Sequence, residues 1–232
     1  MPAGTPRVRS LHRYPVKSLL GEEVGRLDVD RRGCVGDRRW AVRTAAGKIG
    51  SGKNSRRFEA VPGLLRLRGV TRDGGVWIVF PDGTSLAVST PAAADRLSQH
   101  AGRPVTLAAE TDVDHFDDGP VSLVGAGSVG ALSAERGDDV DVSRFRANIV
   151  LDTVEPFVED RWIGGRVTIG TAILHVAMAS PRCVMVDQET ADLPAQPGNL
   201  LAAGRIHDAC LGVVASVVRP GTISLGDAVD PL

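Results

Sequence analysis

From residue 7 to residue 89 the chain offers one short strand candidate after another, each closed by a turn signal. That succession rules out a doubly wound parallel sheet, which needs strands and helices in regular alternation. The runs are "RVRSLHRY" (7–14), "VGRLDVD" (24–30), "WAVRT" (40–44), "LLRLRGV" (64–70), "VWIVF" (76–80) and "PDGTSLAVS" (81–89). In the first, alternation puts Val8, Ser10 and His12 on one side. Asp73-Gly74 is a two-residue hairpin turn between two of the runs. "STPAAADRLSQHAGRP" then predicts a helix. Thr90 is its N-cap, Pro91 its first residue, Gly102 its stop, and Leu97 and Ala101 its buried side. Shorter helices are predicted over 128–136, stopped by Gly137, and within "PGNLLAAGRIH". "VSLV" (121–124), "ANIVLD", "RVTIG", "AILHVAM", "CLGVVASVV" and "TISL" are further strands. The expected fold is α+β and predominantly β, barrel-like, with a few short helices. A boundary falls near the acidic turn "HFDDGP", which divides the chain into 1–112 and 113–232.

The 27 basic and 28 acidic residues leave a net charge of −1. No global field therefore draws the chain to nucleic acid or an anionic membrane, and any anion site must be built locally. No run approaches the roughly 20 apolar residues of a membrane span, and the N-terminus lacks a signal-peptide core. The three cysteines, Cys34, Cys183 and Cys210, form neither a disulfide framework nor a CxxC zinc pattern. A cytoplasmic protein is expected. The five histidines show no metal-ligand spacing, and G-x-G-x-x-G, the Walker motif and G-x-S-x-G are all missing. "GKIGSGKNS" has the wrong spacing for a phosphate loop and reads as a surface turn.

Local clusters are more informative. In "YPVKSL", Lys17 and Ser18 follow a proline, and an ammonium, a hydroxyl and free amides can hold an anion. "GDRRW" offers Arg38 and Arg39, only one of which can face a given pocket if the segment is extended. In "RFRANI", an extended backbone would put Arg144, Arg146 and Asn148 on one face, with Phe145 opposite. Guanidinium forks and a carboxamide suit a ligand that joins phosphate to a heteroaromatic ring. An ion-paired strand facing "VEDRW" is the plainer alternative. Taken singly, Cys34, Cys183 and Cys210 read as inert core thiols, although Arg182 adds charge beside Cys183. The adjacent carboxylates Asp117 and Asp118 read as solvated.

Seven stretches change this balance when taken in order. "YPVKSL", "GDRRW", "PVSLVGAGSVGALSA", "RFRANIVLD", "FVEDRW", "GTAILHVAMASPRCVMV" and "GVVASVVRPGTISLGDAV" cover nearly the whole chain. Their succession resembles the MOSC family. The resemblance is to its two-part members, in which a MOSC N-terminal β-barrel precedes the MOSC domain, as in the amidoxime-reducing component and its bacterial relatives. It implies a MOSC β-barrel, with 1–112 as the N-terminal region and 113–232 as the MOSC domain. It implies a molybdenum cofactor of molybdopterin type, with Cys183 as molybdenum ligand and catalytic centre. Lys17, Ser18, Arg38, Ser122, Arg146, Asn148 and Arg182 would then contact the cofactor. A soft thiolate suits a metal already held by dithiolene sulfurs.

The implied activity is reduction of N-hydroxylated or N-oxide compounds. Electrons would come from a separate donor protein, since no flavin, haem or iron–sulfur motif is present. The family also carries an expectation of pyridoxal phosphate binding. Two alternatives stand beside the enzyme: a carrier of cofactor or of a Cys183 persulfide, and a scaffold for some other small anion. The stretches "VDQETADLPAQP" and "GKIGSGKNSRRFEAVPG" depart from the reductases' pattern, so substrate and electron donor are the least constrained.

Overall fold

The computed structural model describes residues 4–232. Its main element is a curled sheet of eight strands. In spatial order these are Val229–Pro231, Arg166–Ile169, Ala172–Pro181, Cys210–Arg219, Val121–Gly125, Ile149–Leu151, Val8–Arg13 and Glu22–Val24. All neighbours are antiparallel except Val121–Gly125 and Ile149–Leu151, which run parallel. The helix α2 (Ala126–Arg136) leads from one to the other, as a parallel crossover requires. Three smaller sheets complete the β structure, so the predominantly β, α+β expectation holds. One of them joins Arg26–Asp30 to Gly221–Ser224, strands from the two ends of the chain.

Two apolar clusters organise the interior. The larger sits inside the curled sheet around Leu11, Leu123, Ile149, Leu174 and Val213. The second packs α1 (Pro91–Ala101) through Leu97 and Ala101 onto Val42, Leu64, Ile78 and Val105.

Local chemistry explains most departures from the sequence reading. A bulge between Val8 and Ser10 shifts the register of the first strand. Val8 and Leu11 therefore both face the core, and strict alternation fails. Asp73 and Gly74 take φ of 49° and 74° and close the hairpin as a turn of the primed type. Residues 64–66 form a 3-10 turn, and the strand begins at Arg68. Thr90 does precede α1, but its hydroxyl donates to the Ala87 carbonyl, 2.7 Å away, and does not cap the helix. "VEDRW" is a 3-10 helix, not a strand paired with Arg144.

Its Glu159, fully buried, caps α2 from a distance of more than thirty residues. One carboxylate oxygen accepts from the Gly125 amide at 2.9 Å and the Ser128 hydroxyl at 2.8 Å. A negative charge at a helix N-terminus is stabilising. We expect Glu159→Ala to lower unfolding free energy by about 2–3 kcal/mol, because two buried donors lose their acceptor. Urea denaturation with an unchanged m-value is the check.

Candidate anion and thiolate site

Main-chain pairing brings the first two basic motifs together. The Lys17 amide donates to the Trp40 carbonyl at 2.7 Å, and the Arg38 amide to the Tyr14 carbonyl at 2.7 Å. The third motif arrives through the strand pairing of Ile149–Leu151 with Val8–Arg13. Three of the residues so collected, Ser18, Arg38 and Arg146, hold φ of 68°, 52° and 51°. The left-handed region costs an L-residue roughly 1–2 kcal/mol, and such strain gathers at functional sites.

The result is one cavity of about 740 Å³, partly open to solvent. That volume lies within the ~300–1,000 Å³ range of ligand pockets. Lys17, Ser18, Arg38, Ser122, Arg146, Arg182 and Cys183 all line it. Asn148 does not; it lies behind the wall and orders two residues that do. Its carboxamide oxygen accepts from the Ser122 hydroxyl at 3.0 Å and from Arg38 at 3.4 Å. Its amide group donates to the His12 carbonyl at 3.2 Å.

The shared face expected for Arg144, Arg146 and Asn148 does not form. Residues 142–145 make a 3-10 turn and Arg146 is left-handed, so an extended alternation never exists. Arg144 reaches the carbonyls of Gln188 (3.1 Å) and Pro194 (2.7 Å) and ties down the loop after Cys183.

Tyr14 supports two of the guanidiniums. Arg146 and Arg38 lie 4.4 and 5.0 Å from its ring centroid, within cation–π range. Arg38 is also paired with the fully buried Asp37, which raises its pKa against the opposing effect of burial. Arg144, Arg146 and Arg182 have no ion-pair partner among the described residues; their guanidiniums donate to main-chain carbonyls. Burial pulls Arg146 and Arg182 down to about 10. Six cations line the cavity against two carboxylates, Asp117 and Asp118. The Ser18 hydroxyl is buried at the wall without a partner. An orphaned donor amid uncompensated guanidiniums fits an anionic ligand with several acceptor oxygens.

Two residues assigned to the surface belong to this site. Asp117 is salt-bridged to Lys17, and its other oxygen lies 3.0 Å from the Lys53 ammonium. Burial works to raise the Asp117 pKa, yet the two lysines hold it well below the usual carboxylate range. Lys53 follows the buried strand Ile49–Ser51 within the supposed surface turn. No local pattern pairs residues so far apart in sequence; the acidic turn just before a strand was the only signal.

Cys183 stands at the cavity's edge, half-buried, immediately before the 3-10 turn Val184–Asp187. Arg182 fixes the approach to it by binding the carbonyls of Leu211 and Phe145, both at 2.9 Å. Cys34 is fully buried and inert, its pKa driven upward by desolvation. Cys210 is half-buried and lies outside the cavity. Among the described residues no group of three or more His, Cys, Asp or Glu is placed to hold a metal. A metal reaching Cys183 must therefore bring most of its ligands with it, as a dithiolene-held metal does.

The MOSC domain family model matches residues 98–230, and that of the MOSC N-terminal beta barrel domain matches residues 5–119. The chain belongs to the MOSC family. Over 130 residues it is 29% identical to mitochondrial amidoxime reducing component 2 of Bos taurus, a match covering 50% of this chain and 38% of that one. Over 74 residues it is 40% identical to molybdenum cofactor sulfurase of Danio rerio, covering 31% of this chain and 9% of that one. The chain thus spans less than half the length of these MOSC relatives. The crystal structure of the YUAD protein from Bacillus subtilis shares the fold at TM-score 0.53 and 16% identity, covering 97% of this chain and 94% of that one. These kinships support a role associated with the molybdenum cofactor. No helix is long and apolar enough to cross a membrane.

Lys17 gives the MOSC site a pH signature. Only 3% of the residue is exposed, and burial lowers its pKa to about 8 despite the opposing pull of Asp117. The ammonium that attracts an anion is present below that pH and lost above it. Affinity for sulfate, whose charge is constant here, should hold below pH 8 and fall above it. Stability runs the other way. The unfolded Lys17 stays protonated to about pH 10.4, so between pH 8 and 10 the unfolded chain binds more protons and this residue's contribution to stability rises. Calorimetric sulfate titrations and thermal melts of wild type and Lys17→Met check both signs, and the variant should show neither trend.

Proposed function

We propose that the protein is a molybdenum-cofactor-dependent oxidoreductase that reduces N-hydroxylated or N-oxide compounds. The observation that carries this reading is a half-buried thiol sharing one cavity with three guanidiniums that lack carboxylate partners. The Cys183 thiolate would bind the metal. Lys17, Ser18, Arg38 and Arg146 would hold the anionic and heteroaromatic parts of the pterin, with Ser122 beside them. Asn148 would position Arg38 and Ser122, and Arg182 would hold the Cys183 segment in place. When bound, the cofactor supplies a two-electron centre that accepts oxygen.

Reduction of an amidoxime to an amidine breaks one N–O bond. It consumes two electrons and two protons and releases one water. A separate donor protein supplies the electrons. The chain's own contribution is to exclude bulk water, orient the substrate and keep ammonium donors at the cavity wall. Lys17 and Lys53 are both committed to Asp117, so we assign the cavity to a pterin-held metal and not to pyridoxal phosphate. We place the division of labour at residues 1–112 and 113–232, each supplying part of the wall. Free Cys34, Cys183 and Cys210 suit a reducing compartment, and we place the protein in the cytoplasm.

The test is the molybdenum and pterin content of protein made in a cofactor-competent host, with benzamidoxime reduction by a chemical electron donor. Near-stoichiometric metal and turnover support the reading. Metal-free protein carrying a cyanide-releasable sulfur on Cys183 would replace it with the persulfide carrier.

A further inference from the structure

A second cavity of about 690 Å³ lies next to the first, beneath the loop that follows Cys183. Neighbouring residues line the two. Lys53 faces the first and Gly52 the second; Met185 and Val186 face the first, Gln188 and Glu189 the second. Between them the Gln188 side-chain amide donates to the Gly52 carbonyl at 2.7 Å. The approach is close: a Cβ on Gly52 would meet the Gln188 Oε1 at 2.3 Å.

The chemistry of the two spaces differs. The first is dominated by cations, whereas the second is floored by the buried apolar residues Val61, Leu64 and Leu65. Its two charged residues, Arg66 and Glu189, are exposed and paired with each other at 2.6 Å. Four contacts tether the covering loop to the N-terminal region. Two are exposed ion pairs, Arg66–Glu189 and Arg68–Asp192. The others are the Gln188 bond and the Ala191 amide on the Leu65 carbonyl at 2.9 Å. Exposed ion pairs contribute only ~0–1 kcal/mol each, so this cover can lift at small cost.

We propose that this second cavity receives the uncharged, apolar tail of an N-oxygenated substrate, and that Gln188 is the specificity residue at the passage between the two spaces. The inference rests on reading the Cys183 cavity as the reaction site. A substrate whose N–O group sits among guanidiniums has no apolar wall there for an aryl or alkyl tail, and the adjacent floor supplies one. Breaking the single Gln188–Gly52 bond joins the spaces.

Two variants test this with opposite signs. In the metal-loaded protein, Ala60→Phe narrows the apolar chamber and Gln188→Ala widens the passage. For 4-phenylbenzamidoxime, Ala60→Phe should raise KM by roughly tenfold, a magnitude typical of apolar pocket contacts, and Gln188→Ala should lower it. KM for acetamidoxime, which has almost no tail, should stay unchanged in both, as should metal content. Equal effects on both substrates, or none on either, overturn the proposal. A readout independent of turnover is amide NMR of the protein with 4-phenylbenzamidoxime. Shifts at residues 60–66 and 188–189 support the chamber, and shifts elsewhere only, or none, overturn it. Metal-free wild type with those same shifts would leave the chamber standing and remove the redox reading.

Discussion

Cys183→Ser abolishes amidoxime reduction, by about 10³-fold or more, if the thiolate is the metal's protein ligand. A serine hydroxyl is a hard, protonated donor at neutral pH and a poor substitute for thiolate on a soft metal. The fold gives this substitution little else to disturb. Cys183 is half-buried at a cavity edge, and the surrounding turn is held by Arg182 and Arg144 through main-chain carbonyls. The thermal midpoint should therefore move by no more than about 2 °C, as for surface substitutions generally. Pterin content should fall less than activity, since the basic side chains remain. A serine variant with wild-type metal content and turnover would falsify the ligand assignment.

Arg146→Met has the second-largest expected effect, and it is double-edged. Burial lowers the Arg146 pKa to about 10, and no carboxylate pairs with it. Its charge therefore costs the ligand-free fold on the order of 3 kcal/mol. Methionine keeps much of the length and can pack on the Tyr14 ring. The Leu19 carbonyl, which accepts from Arg146, loses a partner at about 1 kcal/mol. The ligand-free variant should thus melt roughly 3–6 °C higher, while sulfate affinity and pterin retention drop by about 10–100-fold through loss of a charge-assisted contact. Arg38→Met must behave differently. Its partner Asp37 is fully buried, and stranding that carboxylate should destabilise the chain by about 3–5 kcal/mol. Differential scanning calorimetry with sulfate titration separates the two. Equal destabilisation by both substitutions would mean that Arg146 is a structural cation, not one held for a ligand.

These contrasts bear on what the chain's residues disclosed. The strands, α1 with its Gly102 stop and the Asp73-Gly74 turn follow from side-chain period and local φ preference, and they form as read. The position of Cys183 beside a basic cavity was reached through seven ordered motifs. Its own neighbours in sequence do not require it. Where local reasoning failed, a long-range partner had intervened. Glu159 caps a helix it does not adjoin, and Asp117 is held by two lysines distant in sequence.

The amino-acid order alone determined the β-rich class, the turn positions, the family and the set of chemical groups available. It could do so because hydrophobic period and turn chemistry act over a few residues. Only the tertiary structure decided how those groups are used. Ser18, Arg38 and Arg146 are forced into a backbone region that no local signal predicts, because strand pairing on either side over-determines them. The same pairing leaves some guanidiniums matched and others unmatched. That difference sets charge, burial and ligand demand, and it exists only once the chain has closed on itself.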